Sequence, residues 1–150
     1  MGSGIAHVFA RAGLRVLLCD VEQRFLDRAL AQIRTNLGRE ATKGKLEESE
    51  IEPALGRIAS TTDRGLLSEA NLVIEAASER FELKTEILQA LDAIVAPDTI
   101  LATNTSSISI TRLAAQTRRP AQVIGMHFFN PVPMMALVEV IRGLATNNAT

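Results

Sequence analysis

Short apolar runs alternate with amphipathic segments along this chain, and the alternation strongly limits the folds open to it. The predicted strands are residues 15–20, 57–61, 72–75, 99–103, 122–127 and 137–141. The predicted helices are residues 3–12, 22–41, 53–56, 82–95 and 109–116. Strands that are apolar throughout are typical of a parallel sheet with helices on both faces. The sequence therefore predicts an α/β fold with a doubly wound, mostly parallel sheet.

The composition limits the class of protein. The chain has 150 residues, about one domain, and 47% of them are apolar, which is enough for a sizeable core. A net charge of −1 and the absence of tryptophan and tyrosine argue against nucleic-acid binding. No apolar run is long enough to span a bilayer, and Cys19 is the only cysteine. We therefore expect a cytoplasmic protein that binds neither nucleic acid nor membranes and holds no metal.

A glycine-rich segment opens the first predicted helix. In a Rossmann fold, a strand leads into G-x-G-x-x-G and then into a helix. Here the helix starts directly at Met1-Gly2-Ser3-Gly4, so Gly2 corresponds to the last glycine and the first strand is missing. That strand is central in the usual order, and its loss leaves a gap in the sheet with unpaired backbone groups. We expect the chain to start late, at an internal methionine.

Asp20 ends the first predicted strand. In a dinucleotide-binding fold, an acidic residue at this point accepts hydrogen bonds from the adenosine ribose hydroxyls and repels a 2′-phosphate. Asp20 therefore favours NAD over NADP. The alternative is an ordinary turn or helix-capping aspartate, because aspartates are common at such positions.

His127 and Glu139 are the most informative pair of polar residues. His127 is the second of only two histidines and ends a predicted strand, twelve residues before Glu139. A neutral imidazole accepts a proton near physiological pH, and a carboxylate can fix its tautomer. Glu139 lies in an apolar run, where burial is costly without a partner. The residues alone leave two interpretations open: a catalytic pair, or a core histidine beside a strand-edge glutamate.

Several motifs acquire meaning from their order and spacing. They are Met1-Gly2-Ser3-Gly4-Ile5-Ala6, Val73-Ile74-Glu75-Ala76-Ala77, Asn104-Thr105-Ser106-Ser107, and residues 125–133 with Leu137-Val138-Glu139-Val140. Together they resemble the L-3-hydroxyacyl-CoA dehydrogenase family, and within it the short-chain 3-hydroxybutyryl-CoA dehydrogenases. The resemblance covers nearly the whole chain. Related gulonate dehydrogenases and lens crystallin homologues differ at His127-Phe128-Phe129-Asn130, so the resemblance implies an acyl-CoA substrate.

The resemblance implies a role for each matching residue. His127 would be the base that removes the 3-hydroxyl proton, Glu139 would orient it, and Ser106 would hydrogen-bond the substrate oxygen. The implied NAD contacts are Gly2, Asp20, Glu79, Lys84 and Asn104. The implied substrate contacts are Ser106, Asn130, Lys43 and Lys45, the two lysines on the coenzyme A side. By their residue types alone, Ser106 also fits a helix cap, and Lys43, Lys45, Glu79 and Lys84 also fit an exposed surface.

The resemblance further implies a larger parent enzyme of fatty-acid metabolism that interconverts 3-hydroxybutyryl-CoA and acetoacetyl-CoA. The family continues into a helical domain that supplies the dimer interface. Residues 1–150 are therefore expected to be an NAD-binding domain, trimmed at both ends, of a homodimeric enzyme. Two alternatives remain: a non-catalytic fragment with a structural or cofactor-binding role, and a segment of a multifunctional fatty-acid oxidation protein.

Overall fold

The computed structural model describes residues 1–150 and has the predicted strands and helices in the predicted order, with bounds that differ by at most two residues. The strands are β1 (Val16–Cys19), β2 (Ile58–Thr61), β3 (Leu72–Glu75), β4 (Ile100–Thr103), β5 (Val123–Phe128) and β6 (Val138–Arg142). The helices are α1 (Gly2–Arg11), α2 (Gln23–Thr42), α3 (Ile51–Gly56), α4 (Phe81–Ile94) and α5 (Ile110–Ala114). None of these helices is both long and apolar enough to cross a membrane.

The strands form two separate sheets. β1 pairs in parallel with β2, and the other sheet has the order β3-β4-β5-β6. β3, β4 and β5 are parallel, whereas β6 runs antiparallel to β5. The predicted doubly wound, mostly parallel arrangement is confirmed. β1 and β3 each pair along one edge only.

Each sheet belongs to its own compact unit. The first unit comprises residues 1–63 and 131–134, and the second comprises residues 64–130 and 135–150. The first unit contains α1 to α3 with β1 and β2, and the second contains the other helices and strands.

The core of the first unit is built from α1, α2 and α3 against β1 and β2. Ala6, Ile33, Leu37 and Ala54 are buried there. Phe25 recurs at helical spacing with Ile33 and Leu37 in α2, yet it is not buried with them. Leu26 is fully buried instead, while Phe25 is exposed beneath the guanidinium of Arg24, 4.9 Å from the ring centroid.

Two glycines in the first unit are required by the backbone. Gly13 follows α1 with φ of +90°, a conformation that residues with a side chain rarely adopt, and it ends the helix as predicted. A Cβ atom at Gly4 would lie 2.9 Å from the Cβ of Val132. Gly4 therefore lets α1 pack closely against residues 131–134.

The second unit is built around β4, which lies between β3 and β5. Leu101 and Ala102 of β4 are completely buried, as are Leu88 of α4 and Leu113 of α5. Because β4 has a strand on each side, it holds the ends of β3 and β5 at one edge of the sheet.

We expect Leu101→Ala to lower the free energy of unfolding by about 2–5 kcal/mol, because it leaves a cavity in a closely packed core. Denaturant unfolding monitored by circular dichroism measures this loss. Leu66→Ala is the matched control, because Leu66 is 56% exposed in the same unit. An equal loss in both variants would contradict the burial of Leu101.

Candidate active site at the ends of β3, β4 and β5

The antiparallel pairing of β5 with β6 brings His127 and Glu139 together. The two residues are directly opposite each other in the register, and Nδ1 of His127 lies 2.7 Å from Oε2 of Glu139. The side chain of Glu139 is 50% exposed, so burial does not oblige it to find a partner. Strand register, and not desolvation, therefore accounts for this contact.

The Glu139 contact determines the tautomer of a neutral His127. An ionised carboxylate can only accept a hydrogen bond, so the ring must carry its proton on Nδ1 and donate it to Glu139. Nε2 then keeps its lone pair. This is the form of imidazole that can act as a proton acceptor.

Gly125 of β5 and Phe129, the residue after β5, shape the surroundings of His127. A Cβ atom at Gly125 would lie 2.9 Å from Cδ1 of Ile110 and 3.1 Å from Cβ of Ile141, so glycine lets α5 pack close to the strand. The Phe129 ring lies 4.6 Å from the imidazole, centroid to centroid. His127 is thus held by Glu139 on one side and restricted by an aromatic ring on another.

His127, Glu139 and Ser106 line the same cavity, which has a volume of about 320 Å³. The remaining lining residues are Thr105, Ser107, Ile108, Ser109, Ile110, Thr111, Ile141 and Arg142. Ser106 follows β4 and His127 lies at the end of β5, so the cavity is at the carboxyl ends of these parallel strands. Open α/β sheets bind their ligands at this edge.

Glu79 holds the turn that carries Ser106. Its Oε1 accepts hydrogen bonds from the backbone N–H groups of Ser106 (3.0 Å) and Ser107 (3.1 Å) and from the hydroxyl of Thr105. Partial burial opposes ionisation, but these donors outweigh it and lower the pKa of Glu79 from 4.5 to about 2. Glu79 is therefore an ionised hydrogen-bond acceptor at neutral pH.

Glu75 and Lys84 form a buried ion pair beside this turn. Nζ of Lys84 lies 3.0 Å from both carboxylate oxygens of Glu75, and both side chains are almost completely buried. The exposed-surface alternative for Lys84 is therefore wrong. Lys84 also lies 3.6 Å from Oε2 of Glu79, so one ammonium serves two carboxylates.

Asn104 links the ends of β4 and β5. Its Oδ1 accepts the backbone N–H of Phe128 at 2.8 Å, one residue beyond His127. The β4–β5 backbone pairing runs from Leu101 to Thr103, so this side chain extends it past the end of β4. Asn130 lies two residues beyond β5 and is exposed.

The first unit carries the other predicted ligand contacts. Gly2 begins α1, whose first turn has neither an acidic residue nor a side-chain cap, so its N–H groups are suited to a phosphate. Asp20 follows β1 and is exposed. Its Oδ1 accepts a hydrogen bond from the N–H of Val21 at 2.7 Å. The start of α1 fits the pyrophosphate of a dinucleotide, and the exposed carboxylate of Asp20 fits its adenosine ribose. Lys43 and Lys45 lie just after α2 and are exposed.

Glu75 is the residue near the site that the sequence analysis missed. The signal was present, because Glu75 follows Leu72, Val73 and Ile74 in an apolar run. A glutamate in an apolar run needs a partner if it is buried. That condition holds for Glu75, which is only 4% exposed, and not for Glu139, which is exposed.

Comparison with known proteins identifies the family. The sequence profile described as "3-hydroxyacyl-CoA dehydrogenase, NAD binding domain" matches residues 1–150. The chain belongs to this family. The resemblance stated from the motifs is confirmed, and NAD, the cofactor expected from Asp20, is the one that the family description names.

Individual relatives agree with this assignment. A probable 3-hydroxybutyryl-CoA dehydrogenase of Bacillus subtilis is 49% identical over 150 residues, which cover 100% of this chain and 52% of the relative. The crystal structure of (S)-3-hydroxybutyryl-CoA dehydrogenase from Ralstonia eutropha superposes with a TM-score of 0.97 at 48% identity, over 99% of this chain and 53% of that one. A fatty acid oxidation complex subunit alpha from Psychrobacter cryohalolentis is 42% identical over 95% of this chain and 20% of its own. The chain thus spans about half the length of the two dehydrogenases.

We expect Glu139→Ala to reduce the population of the Nδ1–H tautomer of His127, because the ring loses the acceptor that holds the Nδ1 proton. The ¹⁵N chemical shifts of the two ring nitrogens measure this population. The control is Glu82→Ala, at an exposed position in α4. A tautomer ratio that is equal in the wild type and in Glu139→Ala would refute the assignment.

The low pKa of Glu79 makes the stability of the fold depend on pH. Because the folded-state pKa lies near 2, below its usual 4.5, the contribution of Glu79 is complete above about pH 4.5 and is lost as the pH falls towards 2. Glu79→Gln should be less stable than the wild type at pH 7 and should show a shallower loss of stability across that window. Urea unfolding at a series of pH values tests this, with the exposed Glu86→Gln as the control. An unchanged pH slope in Glu79→Gln would rule out this role.

Proposed function

We propose that this chain is the NAD-binding domain of a dehydrogenase that interconverts short-chain L-3-hydroxyacyl-CoA and 3-oxoacyl-CoA. The observation that supports it most is the His127–Glu139 pair, which lines one cavity together with Ser106. A proton acceptor, its orienting carboxylate and a hydroxyl donor are what the oxidation of a secondary alcohol requires from the protein.

His127 acts as the general base in this proposal. The Nδ1–H···Glu139 contact leaves Nε2 unprotonated, and Nε2 takes the proton of the 3-hydroxyl group. The carboxylate of Glu139 stabilises the imidazolium that forms, because it accepts the hydrogen bond from Nδ1. Bound NAD supplies the acceptor for the hydride from C3. In the reverse direction His127 returns the proton to the oxygen at C3.

Ser106 binds the same oxygen of the substrate. Its backbone N–H is held by Glu79, while its hydroxyl makes only a long contact of 3.4 Å to the same carboxylate. The hydroxyl can therefore turn towards the substrate while the turn stays fixed. A donor at this oxygen stabilises the negative charge that develops there.

The proposal also assigns contacts to the cofactor. Gly2 at the start of α1 binds the pyrophosphate through backbone N–H groups, and Asp20 binds the adenosine ribose. Glu79 and Asn104 lie at the edge of the sheet where the nicotinamide end is expected, and Lys84 contributes through Glu79. The carboxylate of Asp20 repels the 2′-phosphate of NADP.

The proposed substrate is an acyl-CoA: 3-hydroxybutyryl-CoA, which the names of the relatives contain, and acetoacetyl-CoA, its 3-oxo counterpart. Lys43 and Lys45 are exposed cations suited to the phosphates of coenzyme A, and Asn130 follows β5 near the acyl group. In this proposal the parent enzyme is a cytoplasmic homodimer, as the family resemblance implies, and residues outside this chain provide the dimer interface.

A second candidate is a segment of a multifunctional fatty-acid oxidation protein. The Psychrobacter relative favours it, since this chain matches only 20% of that subunit. The higher identity to the Bacillus subtilis dehydrogenase favours the separate enzyme.

The oxidation of NADH with acetoacetyl-CoA tests the proposal. We would assay this chain alone and joined to the parts of the Bacillus subtilis relative that lie outside the match. We expect activity in the joined protein with NADH, much less with NADPH, and little or none in the chain alone. His127→Gln should lower the turnover of the joined protein by at least about a hundredfold, because the general base is lost.

Two comparisons sharpen this test. Glu139→Gln should also lower turnover, whereas Glu82→Gln, a matched change on the exposed surface of α4, should not. His127→Gln with near-normal turnover and an unchanged melting temperature would overturn the proposed base. A joined protein that binds NADH but reduces no 3-oxoacyl-CoA would favour the non-catalytic alternative.

A further inference from the structure

Glu75 lies outside the cavity, yet its carboxylate is completely engaged. Oε1 accepts hydrogen bonds from the N–H of Ala77 at 2.6 Å and from Lys84 at 3.0 Å. Oε2 accepts from the hydroxyl of Thr103 at 2.6 Å and from Lys84 at 3.0 Å. One side chain therefore connects the end of β3, the following loop, α4 and the end of β4.

Lys84 is equally engaged. Beyond its two contacts to Glu75, its ammonium donates to the carbonyl of Ala77 at 3.2 Å and lies 3.6 Å from Oε2 of Glu79. The side chain has no exposed surface, and its ammonium is surrounded by protein groups. One of these groups, Glu79, also contacts the turn that lines the cavity.

Glu79 is the group through which that influence reaches the site. Its Oε2 faces Lys84, and its Oε1 accepts from the turn that carries Ser106. We infer that Glu75 and Lys84 are positioning residues that hold Glu79 where it fixes the Ser106 turn. This inference rests on the proposed function for the role of Ser106 at the substrate. The contacts among Glu75, Lys84 and Glu79 do not depend on that function.

The balance of charge explains why the arrangement depends on Lys84. Two carboxylates, Glu75 and Glu79, share one ammonium, and the remaining negative charge is met by donors of the Ser106 turn. Without Lys84, Oε2 of Glu79 would lose the cation that attracts it, whether or not Glu75 is ionised. Glu75 is buried, whereas the Glu79 side chain is 37% exposed, so Glu79 is the one that can move into solvent. The N–H groups of Ser106 and Ser107 would then lose their acceptor.

Amide hydrogen exchange in the 150-residue chain tests the inference. In Lys84→Met, the amides of Ser106 and Ser107 should exchange at least about tenfold faster than in the wild type, since each loses a hydrogen bond to a charged acceptor. The amide of Ala102 in β4 reports the stability of the sheet in the same experiment. The control is Asp92→Asn, which changes another buried carboxylate, held by Arg118 and Arg119. In this variant the exchange rates of the Ser106 and Ser107 amides, relative to that of Ala102, should stay as in the wild type.

A double variant separates positioning from stability. Glu75→Gln combined with Lys84→Met removes both buried charges, and such neutral replacements often restore stability. We expect the exchange of Ala102 to return towards the wild-type rate, while Ser106 and Ser107 stay at least about tenfold faster, because Glu79 still lacks Lys84. Where Lys84→Met alone does not fold, the double variant gives the same information.

Two results would overturn the inference. One is wild-type exchange at Ser106 and Ser107 in Lys84→Met. The other is their full recovery together with Ala102 in the double variant, which would make the ion pair a purely structural element. Neither measurement involves substrate or NAD, so an inactive enzyme would refute the proposed function without affecting this result.

Discussion

The antiparallel pairing of β6 with β5 is the constraint on which the site depends. It places Glu139 directly opposite His127, so the register alone brings a carboxylate to the imidazole. A shift of one residue would turn Glu139 to the other face of the sheet. The glycine at position 125 supports this geometry, because it allows Ile110 of α5 and Ile141 of β6 to lie close to β5.

Three glutamates near the sheet edge have different physical roles that follow from their surroundings. Glu139 is half exposed and fixes a tautomer through one hydrogen bond. Glu79 is ionised and organises a turn through several donors. Glu75 is buried and is satisfied by Lys84, Thr103 and the backbone. A buried carboxylate needs every lone pair engaged, whereas an exposed one can exchange its partners with water. This difference commits Glu75 to a structural role and leaves Glu139 accessible at the cavity.

Much of the fold could be predicted from the sequence, because hydrophobic periodicity and glycine positions act locally. Gly13 ended α1 as predicted, and β3 has the predicted bounds. The side-chain environments were less accessible. Phe25 stands at helical spacing with Ile33 and Leu37, but Leu26 is the residue that is buried. Helical spacing gives the apolar stripe only approximately, and packing against α3 and the sheet selects the residue that is buried.

The sequence by itself determined the order of strands and helices, the membership of the dehydrogenase family, and the identity of the residues expected to perform chemistry. Only the tertiary structure decided which polar residues are buried and which groups they contact. Glu75 and Glu139 both stand in apolar runs, yet one is buried and the other is half exposed. The physical reason is that burial is set by elements distant in the chain. Lys84 and Thr103 enclose Glu75, while Glu139 lies on an edge strand.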